Sequence, residues 1–372
     1  MVAACKRGER TLMKEYFVEA VAENLTKSVF MATRKPVLTV PDGAVVQIET
    51  INTDIAVLEK KTASNLSCEA REPYSIRDID PEPYFHAYGI RIDTPVMRKL
   101  AAALDKVEPL GANGHCITGP IEIEGARPGD VLEIRILKLE LTEPFGSMFV
   151  MPGAGALPDR IARPICQRVL YNEERTQAEL FGFPIALDPF MGVMAVTDTE
   201  DRPSGPPGIF GGNLDLKRLT MGTSLYLPVL VPGAMFCCGD PHAAQGNGEV
   251  GITAIESCGM MSRLQFILHK GVSLESPQAE TPTHYIVTGL DRDLNEAMRK
   301  AVLHAAQFLS ERNGLSFEQA VMLSSASVDF EISQFVDGVV GIHGMIPKTV
   351  VRKGSASFRN EDGSVSYAGK RF

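Results

Sequence analysis

The stretch SLYLPVLVPGAMFCCGDPHAAQGNGEV, residues 224–250, holds most of what the chain has to say about its fold. An apolar run, SLYLPVLV, meets a Pro-Gly turn and resumes as MFCC. Such a pattern reads as strand, tight turn, strand. Directly after it come Asp240, His242, Gln245 and Glu249 among glycines. On an extended strand, residues two apart face the same way. Asp240 and His242 therefore project together from a strand end, while Gly239, Gly246 and Gly248 let the backbone turn sharply beside a small ligand.

Outward from this stretch the same texture recurs. PVLTV, PDG and AVVQIETI (36–51) repeat the pattern, as do IEIEG, ARPGD and VLEIRILKLEL (121–141). All three read as hairpins without a fixed repeat period. IDTPVMRKLAAALDKV (92–107) reads as a helix capped by Asp93 or Thr94. Residues 140–218 are rich in Gly and Pro and read as long ordered loops. Past residue 276, DLNEAMRKAVLHAAQFLSERNG has helical spacing through Leu294, Met298, Val302, Ala305 and Leu309, with an Asp293 cap and a Gly314 stop. SFEQAVMLSSAS opens a second helix with Ser316 and Gln319 as a capping box. The expected fold is β-rich, a mainly antiparallel sandwich or barrel, with a smaller α/β segment near the C-terminus. The expected division is a lead-in over 1–35, a β-rich catalytic body over 36–280, and an α/β segment over 281–372 packing on the body.

Composition narrows the function. The 372 residues are 44% hydrophobic and 22% charged, ordinary for a globular chain. A formal net charge of -9 argues against nucleic acid or an anionic membrane surface as partner. The N-terminal basic residues have no apolar run behind them, so no secretory signal is read. Seven scattered cysteines without a CxxC pair read as reduced thiols of a cytoplasmic protein. There is no GxSxG elbow, P-loop or GxGxxG after a strand.

The candidate chemistry lies in four clusters. Asp240 and His242 form a metal half-site or, more blandly, a turn. In GGNLDLK (211–217), Asn213, Asp215 and Lys217 alternate and would share a face if extended. Asp215 could be a ligand or an acid/base, and Lys217 could orient a carboxylate. His115 sits before a Thr-Gly-Pro turn, where a histidine can be a ligand, a proton carrier or surface. Glu249 and Glu256 lie on GEVGITAIE; seven residues apart on a straight strand they would face opposite sides, so at most one is expected at the site. Cys116, Cys237 and Cys238 are weighed as nucleophiles and read as structural.

Assembled, these stretches resemble the acetamidase/formamidase family from about residue 37 to about 350. PGDVLEIRI (128–136), PFMGVMAV (189–196), GGNLDLKRLTMGTSLYLPVLVPGA (211–234) and GDPHAAQGNGEVGITAIE (239–256) carry the resemblance. The HxxTGP element at 115–120 and LSSASVDFEISQFVD at 323–337 match as well. The resemblance implies hydrolysis of a short aliphatic amide to carboxylate and ammonia, a homo-oligomer, and a divalent metal, for which zinc is the first candidate and calcium the alternative. On that reading His115, Asp240 and His242 hold the metal. Glu256, Asp215 or Glu249 handles the proton, and Asn213 and Gln245 bind the amide. The family often carries Asp where this chain has Asn247. A hydrolase of a larger amide and a non-catalytic small-molecule-binding β protein are the rival expectations.

Overall fold

In a computed structural model, residues 15–52, 95–107, 110, 114–162 and 165–352 are described. The expected helix cap at Asp93 or Thr94, the first residues of the lead-in and the end of the 281–372 segment lie outside them. Two nine-stranded sheets dominate. One runs from the strand Glu15–Val18 through Val45–Ile51, Gly259–His269, Val131–Leu141, Ser224–Pro228, Gln278–Glu280, His284–Asp291 and Val340–Pro347 to Asp329–Ile332. The other holds Gly211–Asn213, Phe190–Val196, Phe236–Ala244, Ile255–Ser257, Phe145–Val150 and Ile165–Leu170 in order. Cys116–Ile123 also joins it, beside Phe236–Ala244. Most pairings are antiparallel, and neither sheet closes on itself, so the β-rich sandwich reading holds and the barrel does not.

The three presumed hairpins are something else. Leu38–Val40 pairs with Cys116–Ile123 in the second sheet, whereas Val45–Ile51 pairs with Gly259–His269 in the first. Cys116–Ile123 and Val131–Leu141 likewise lie in different sheets, as do Ser224–Pro228 and Phe236–Ala244. Each Pro/Gly turn is a corner that carries the chain from one sheet to the other. The corners bond one another instead of closing ladders: Gly233 N–H donates to Ala126 O at 3.0 Å, Ile123 N–H to Gly233 O at 2.9 Å, and Glu124 N–H to Val40 O at 2.8 Å. A corner is favoured because both arms are apolar enough to bury, and crossing sheets places them face to face across one core. Phe236 and Phe266, one from each sheet, meet there with ring centroids 4.9 Å apart. Both are fully buried.

Residues 140–218 are not long loops: they contain the strands Phe145–Val150, Ile165–Leu170, Gln177–Leu180, Phe183–Ala186 and Phe190–Val196. Short strands broken by Gly and Pro give the same composition as loops. The helix Leu294–Asn313 is capped as expected, with Asp293 accepting from Asn295 N and Glu296 N and with Gly314 left-handed at φ 62. Its buried stripe is Ala297, Ala301, Ala305 and Leu309, while Met298 is exposed. Small residues let the helix sit close on the sheet: a Cβ on Gly289 would lie 2.4 Å from Ala301 N. The Ser316 capping box is present at the second helix, Phe317–Ser327. No boundary in hydrogen bonding falls at residue 281, because Gln278–Glu280 pairs directly with His284–Asp291. No described helix is long and apolar enough to cross a membrane.

Candidate active site

Strand Phe236–Ala244 does not end at the Asp-Pro-His motif but runs through it, buried along its whole length. Alternation sends Asp240 and His242 to one face. Register sets His242 opposite Glu256 on one neighbour and opposite Phe190 on the other. His242 Nε2 accordingly lies 3.3 Å from Glu256 Oε1 and 3.0 Å from Asp240 Oδ2. The Phe190 ring meets the imidazole edge-on at 5.0 Å. On its other side, His242 Nδ1 is 3.1 Å from Gln245 Oε1 and 3.8 Å from Asp215 Oδ1.

Two donor sets therefore share one imidazole. Asp240, His242 and Glu256 form one, and Asp215, His242 and Glu249 the other; within each set the ligand atoms lie within 4.8 Å of one another. His115 stands at the rim. Its Nε2 is 3.8 Å from Asp240 Oδ2, and Ser204 Oγ holds it through its backbone N–H at 3.0 Å. Glu249 and Glu256 both face the cluster, contrary to the straight-strand expectation. Only Ile255–Ser257 is strand; Glu249 lies in the preceding turn with φ 43.

The second cluster also departs from its expectation. Gly211–Asn213 is a short strand, but its two glycines have positive φ and Asp215 has φ 44, so the alternation is broken. Asp215 enters the buried cluster, whereas Lys217 lines a separate cavity. Asn213 is buried opposite Val193, with no donor on its Oδ1 and no hydrogen bond to the cluster. Asp240 too is left-handed, at φ 56. A non-glycine residue at positive φ costs roughly 1 kcal/mol or more, and such strain gathers at functional positions. Here three carboxylate residues facing one histidine carry it.

Gly192, on the strand beside Asp240, makes the cluster possible. A Cβ there would lie 2.4 Å from Asp215 Oδ1, 2.4 Å from Asp240 Oδ2 and 2.8 Å from His242 Cε1. The sequence offered a signal, a lone glycine inside the apolar run PFMGVMAV, of the kind that marks close approach. Asn52, Ser204 and Asp337 were not foreseen. Asn52 Nδ2 donates to Glu256 Oε2 at 2.9 Å and Ala254 N–H to Glu256 Oε1 at 3.0 Å, fixing that carboxylate. Asp337 comes from a loop more than a hundred residues downstream to stand beside Asp215, where its charge helps to raise that carboxyl. No spacing rule joins residues so far apart.

Electrostatically the cluster is short of cations. Among the described residues, no lysine or arginine forms an ion pair with Asp215, Asp240, Glu249, Glu256 or Asp337. Burial first, then Glu249 and Asp337, push Asp215 well above the carboxylate range. Burial and Asp337 do the same to Glu249. Burial pushes Glu256 up to about 7 and Asp337 up to about 6. Asp240 alone is held low: burial opposes this, but the His242 and His115 imidazoles outweigh it. Burial would lower His242, yet Asp240 and Glu256 hold it well above its usual value. Neither Asp215 oxygen nor Glu249 Oε2 receives an N–H or O–H donor. Buried, undonated carboxylates of this kind must hold protons or a cation.

Asn247 lies outside the donor sets. Its Nδ2 donates to Glu331 Oε2, which Arg218 Nη2 also binds at 2.9 Å. The amide thus ties the Gly-rich turn to the strand Asp329–Ile332. The described cysteines do not read as nucleophiles: Cys116, Cys237, Cys238 and Cys258 are buried, and burial pushes the Cys237 thiol up to about 12.

The profile of the Acetamidase/Formamidase family matches residues 102–205 and 203–351. A formamidase of Methylophilus methylotrophus is 28% identical over 299 residues, 60% of this chain and 73% of that protein. An acetamidase of Mycolicibacterium smegmatis is 25% identical over 299 residues, 57% and 73% of the two chains. Among solved structures, an acetamidase from Bacillus halodurans superposes with a TM-score of 0.70 at 27% identity, covering 90% of this chain and 98% of that one.

Proposed function

Since the chain belongs to the acetamidase/formamidase family, we propose that it is an amidase that hydrolyses the C–N bond of short linear amides, giving carboxylate and ammonia. The observation that carries this reading is the buried histidine clasped between two carboxylate pairs. Amide hydrolysis needs water activated, a developing oxyanion stabilised and the departing nitrogen protonated. A cluster of acids in graded protonation states can supply the proton traffic.

The donor set fits a divalent cation. Asp240, His242 and Glu256, with His115 at the rim, offer nitrogen and oxygen ligands of the kind zinc accepts. Calcium prefers all-oxygen surroundings, which His242 does not provide. Such a cation, when bound, lowers the pKa of a coordinated water and polarises a carbonyl. Asn52 and the Ala254 N–H hold Glu256 in place for that role. The proton work falls to Asp215 and Glu249. Asp215 and Glu249 lie too close to ionise together, so the pair holds one proton between them: Asp215, raised by burial and by Glu249 and Asp337, donates it to the leaving nitrogen, and Glu249, then the ionised member, takes up a proton from the attacking water. Gln245 fixes the His242 ring: its Oε1 accepts at Nδ1, and its Nε2 is anchored on Asp215 O at 3.0 Å and Ser333 O at 3.3 Å. The Phe190 ring packs against the same imidazole.

The test is ammonia release from formamide, acetamide and propionamide, before and after chelation and after zinc is restored. Turnover lost on chelation and regained with zinc is the expected result. No ammonia under any condition would overturn the amidase reading. Undiminished turnover after rigorous stripping would overturn the metal.

A further inference from the structure

Beside the cluster lies a cavity of about 610 Å³ whose walls include Gln245, Lys217, Arg218, Asp188 and His284. Acetamide has four heavy atoms and fills about 100 Å³, scaling from the ~30 Å³ of one water. The cavity is several times too large for it. Gln245 is the partition: it lines the cavity while its Oε1 holds His242. Whatever occupies the space is therefore one side chain away from the reacting centre.

The walls carry donors without acceptors. Arg218 spends Nη2 on Glu331, at 3.2 Å to Oε1 and 2.9 Å to Oε2, which leaves its buried Nε with no partner. Lys217 is half-buried and makes no hydrogen bond or ion pair among the described residues. The cavity's own carboxylates do not answer them. Glu331 is already engaged by Arg218, Asn247 and His343. Asp188 lies in the field of both cations but bonds neither, and Asp329 is exposed at the edge. Ala186, Ala244 and Met345 supply apolar wall.

We propose that this cavity is an acyl subsite for amides whose far end is a carboxylate, the half-amides of short dicarboxylic acids, with Lys217 and Arg218 binding that carboxylate. The proposal rests on the amidase reading and names its substrate class. An acceptor-bearing group satisfies the guanidinium Nε and the ammonium together, and methylenes fill the apolar stretch. A substrate without the acceptor leaves both donors desolvated and unpaired, which is the strongest basis for discrimination. In the reaction, water oxygen bonds to the amide carbon, the C–N bond breaks, and ammonia leaves with the transferred proton. The product is the dicarboxylate.

The experiment compares kcat/KM for succinamate with that for butyramide, in the wild type and in Lys217→Met and Lys217→Arg, and measures succinate binding by calorimetry. The wild type should favour succinamate by about tenfold or more, the range open to a charge-assisted hydrogen bond. Lys217→Met should collapse that ratio, and Lys217→Arg should retain most of it. Equal or better use of butyramide by the wild type, or a ratio unmoved by Lys217→Met, overturns the subsite and leaves the amidase reading standing. If no amide releases ammonia, the amidase reading falls instead. Succinate binding that weakens in Lys217→Met then still supports the carboxylate subsite, and no succinate binding overturns it.

Discussion

Replacing Gly192 by alanine adds one carbon where three side chains of the proposed site converge. The new Cβ would sit 2.4 Å from Asp215 Oδ1, 2.4 Å from Asp240 Oδ2 and 2.8 Å from His242 Cε1, where ordinary contact begins at 3.4 Å. Relief therefore needs a displacement of ~1 Å at both carboxylates. A misplacement of that size costs about a hundredfold in rate, or about 2.7 kcal/mol of barrier. Stability should suffer less. Overpacking costs ~1–3 kcal/mol, offset by the ~0.5–1 kcal/mol that alanine gains over glycine in the unfolded chain. The net change corresponds to a few degrees in melting temperature for a protein of this size. Ammonia release and thermal melting on the same preparation separate the two effects. A Gly192→Ala protein with turnover within about threefold of the wild type would refute the view that Asp215, Asp240 and His242 act as one packed unit.

Three further outcomes follow from features already described. Phe236→Ala removes a fully buried ring from the contact between the sheets and should cost ~3–5 kcal/mol in urea unfolding. A loss below about 1 kcal/mol would mean that this contact is not central to the core. Burial pushes His343 down to about 4, whereas the unfolded chain titrates near 6.5. The unfolded state then binds more protons between those values, so His343 erodes stability as pH falls from 6.5 to 4, by up to about 3 kcal/mol at 1.36 kcal/mol per unit. His343→Gln should flatten that part of the stability profile; an unchanged slope between pH 6.5 and 4 would contradict the assignment. Burial raises Glu256 to about 7, above an unfolded value near 4.5, so without a cation its contribution to stability is lost as pH rises through that window. Bound zinc should flatten that slope, because Glu256 is then ionised in the folded and unfolded states alike across the window. Melting curves from pH 4.5 to 7.5 that coincide with and without chelator would argue against a metal at Glu256.

The sequence made some layers of this structure legible and hid others for physical reasons. Capping chemistry is local, so Asp293, Gly314 and the Ser316–Gln319 box could be read directly. Strand alternation is local too, and the unshifted register against Phe190–Val196 keeps Asp240 and His242 on one face although Asp240 is left-handed. Hairpins and inter-sheet corners, by contrast, share the same turn residues, and only the partner strands distinguish them. The same limit governed the site. Glu249 and Asp215 reach His242 because their backbones turn left-handed, which breaks the two-residue period that the expectation assumed. Asn52 and Asp337 arrive from opposite ends of the chain, where no periodicity reaches. The helix Leu294–Asn313 kept its cap, but its inward stripe follows the small alanines rather than Met298, because closeness to Gly289 matters more there than side-chain size.

Strand Phe236–Ala244 begins in the contact between the sheets at Phe236 and carries Asp240 and His242 into the cluster, with neighbours bonded on both sides. The groups of the proposed site thus belong to the innermost cooperative unit of the fold rather than to a loop that can open alone. Catalysis and global integrity should be lost together on heating, with no intermediate that is folded but inactive. Residual turnover of a heated or denaturant-treated sample would then read out directly the fraction of molecules still native.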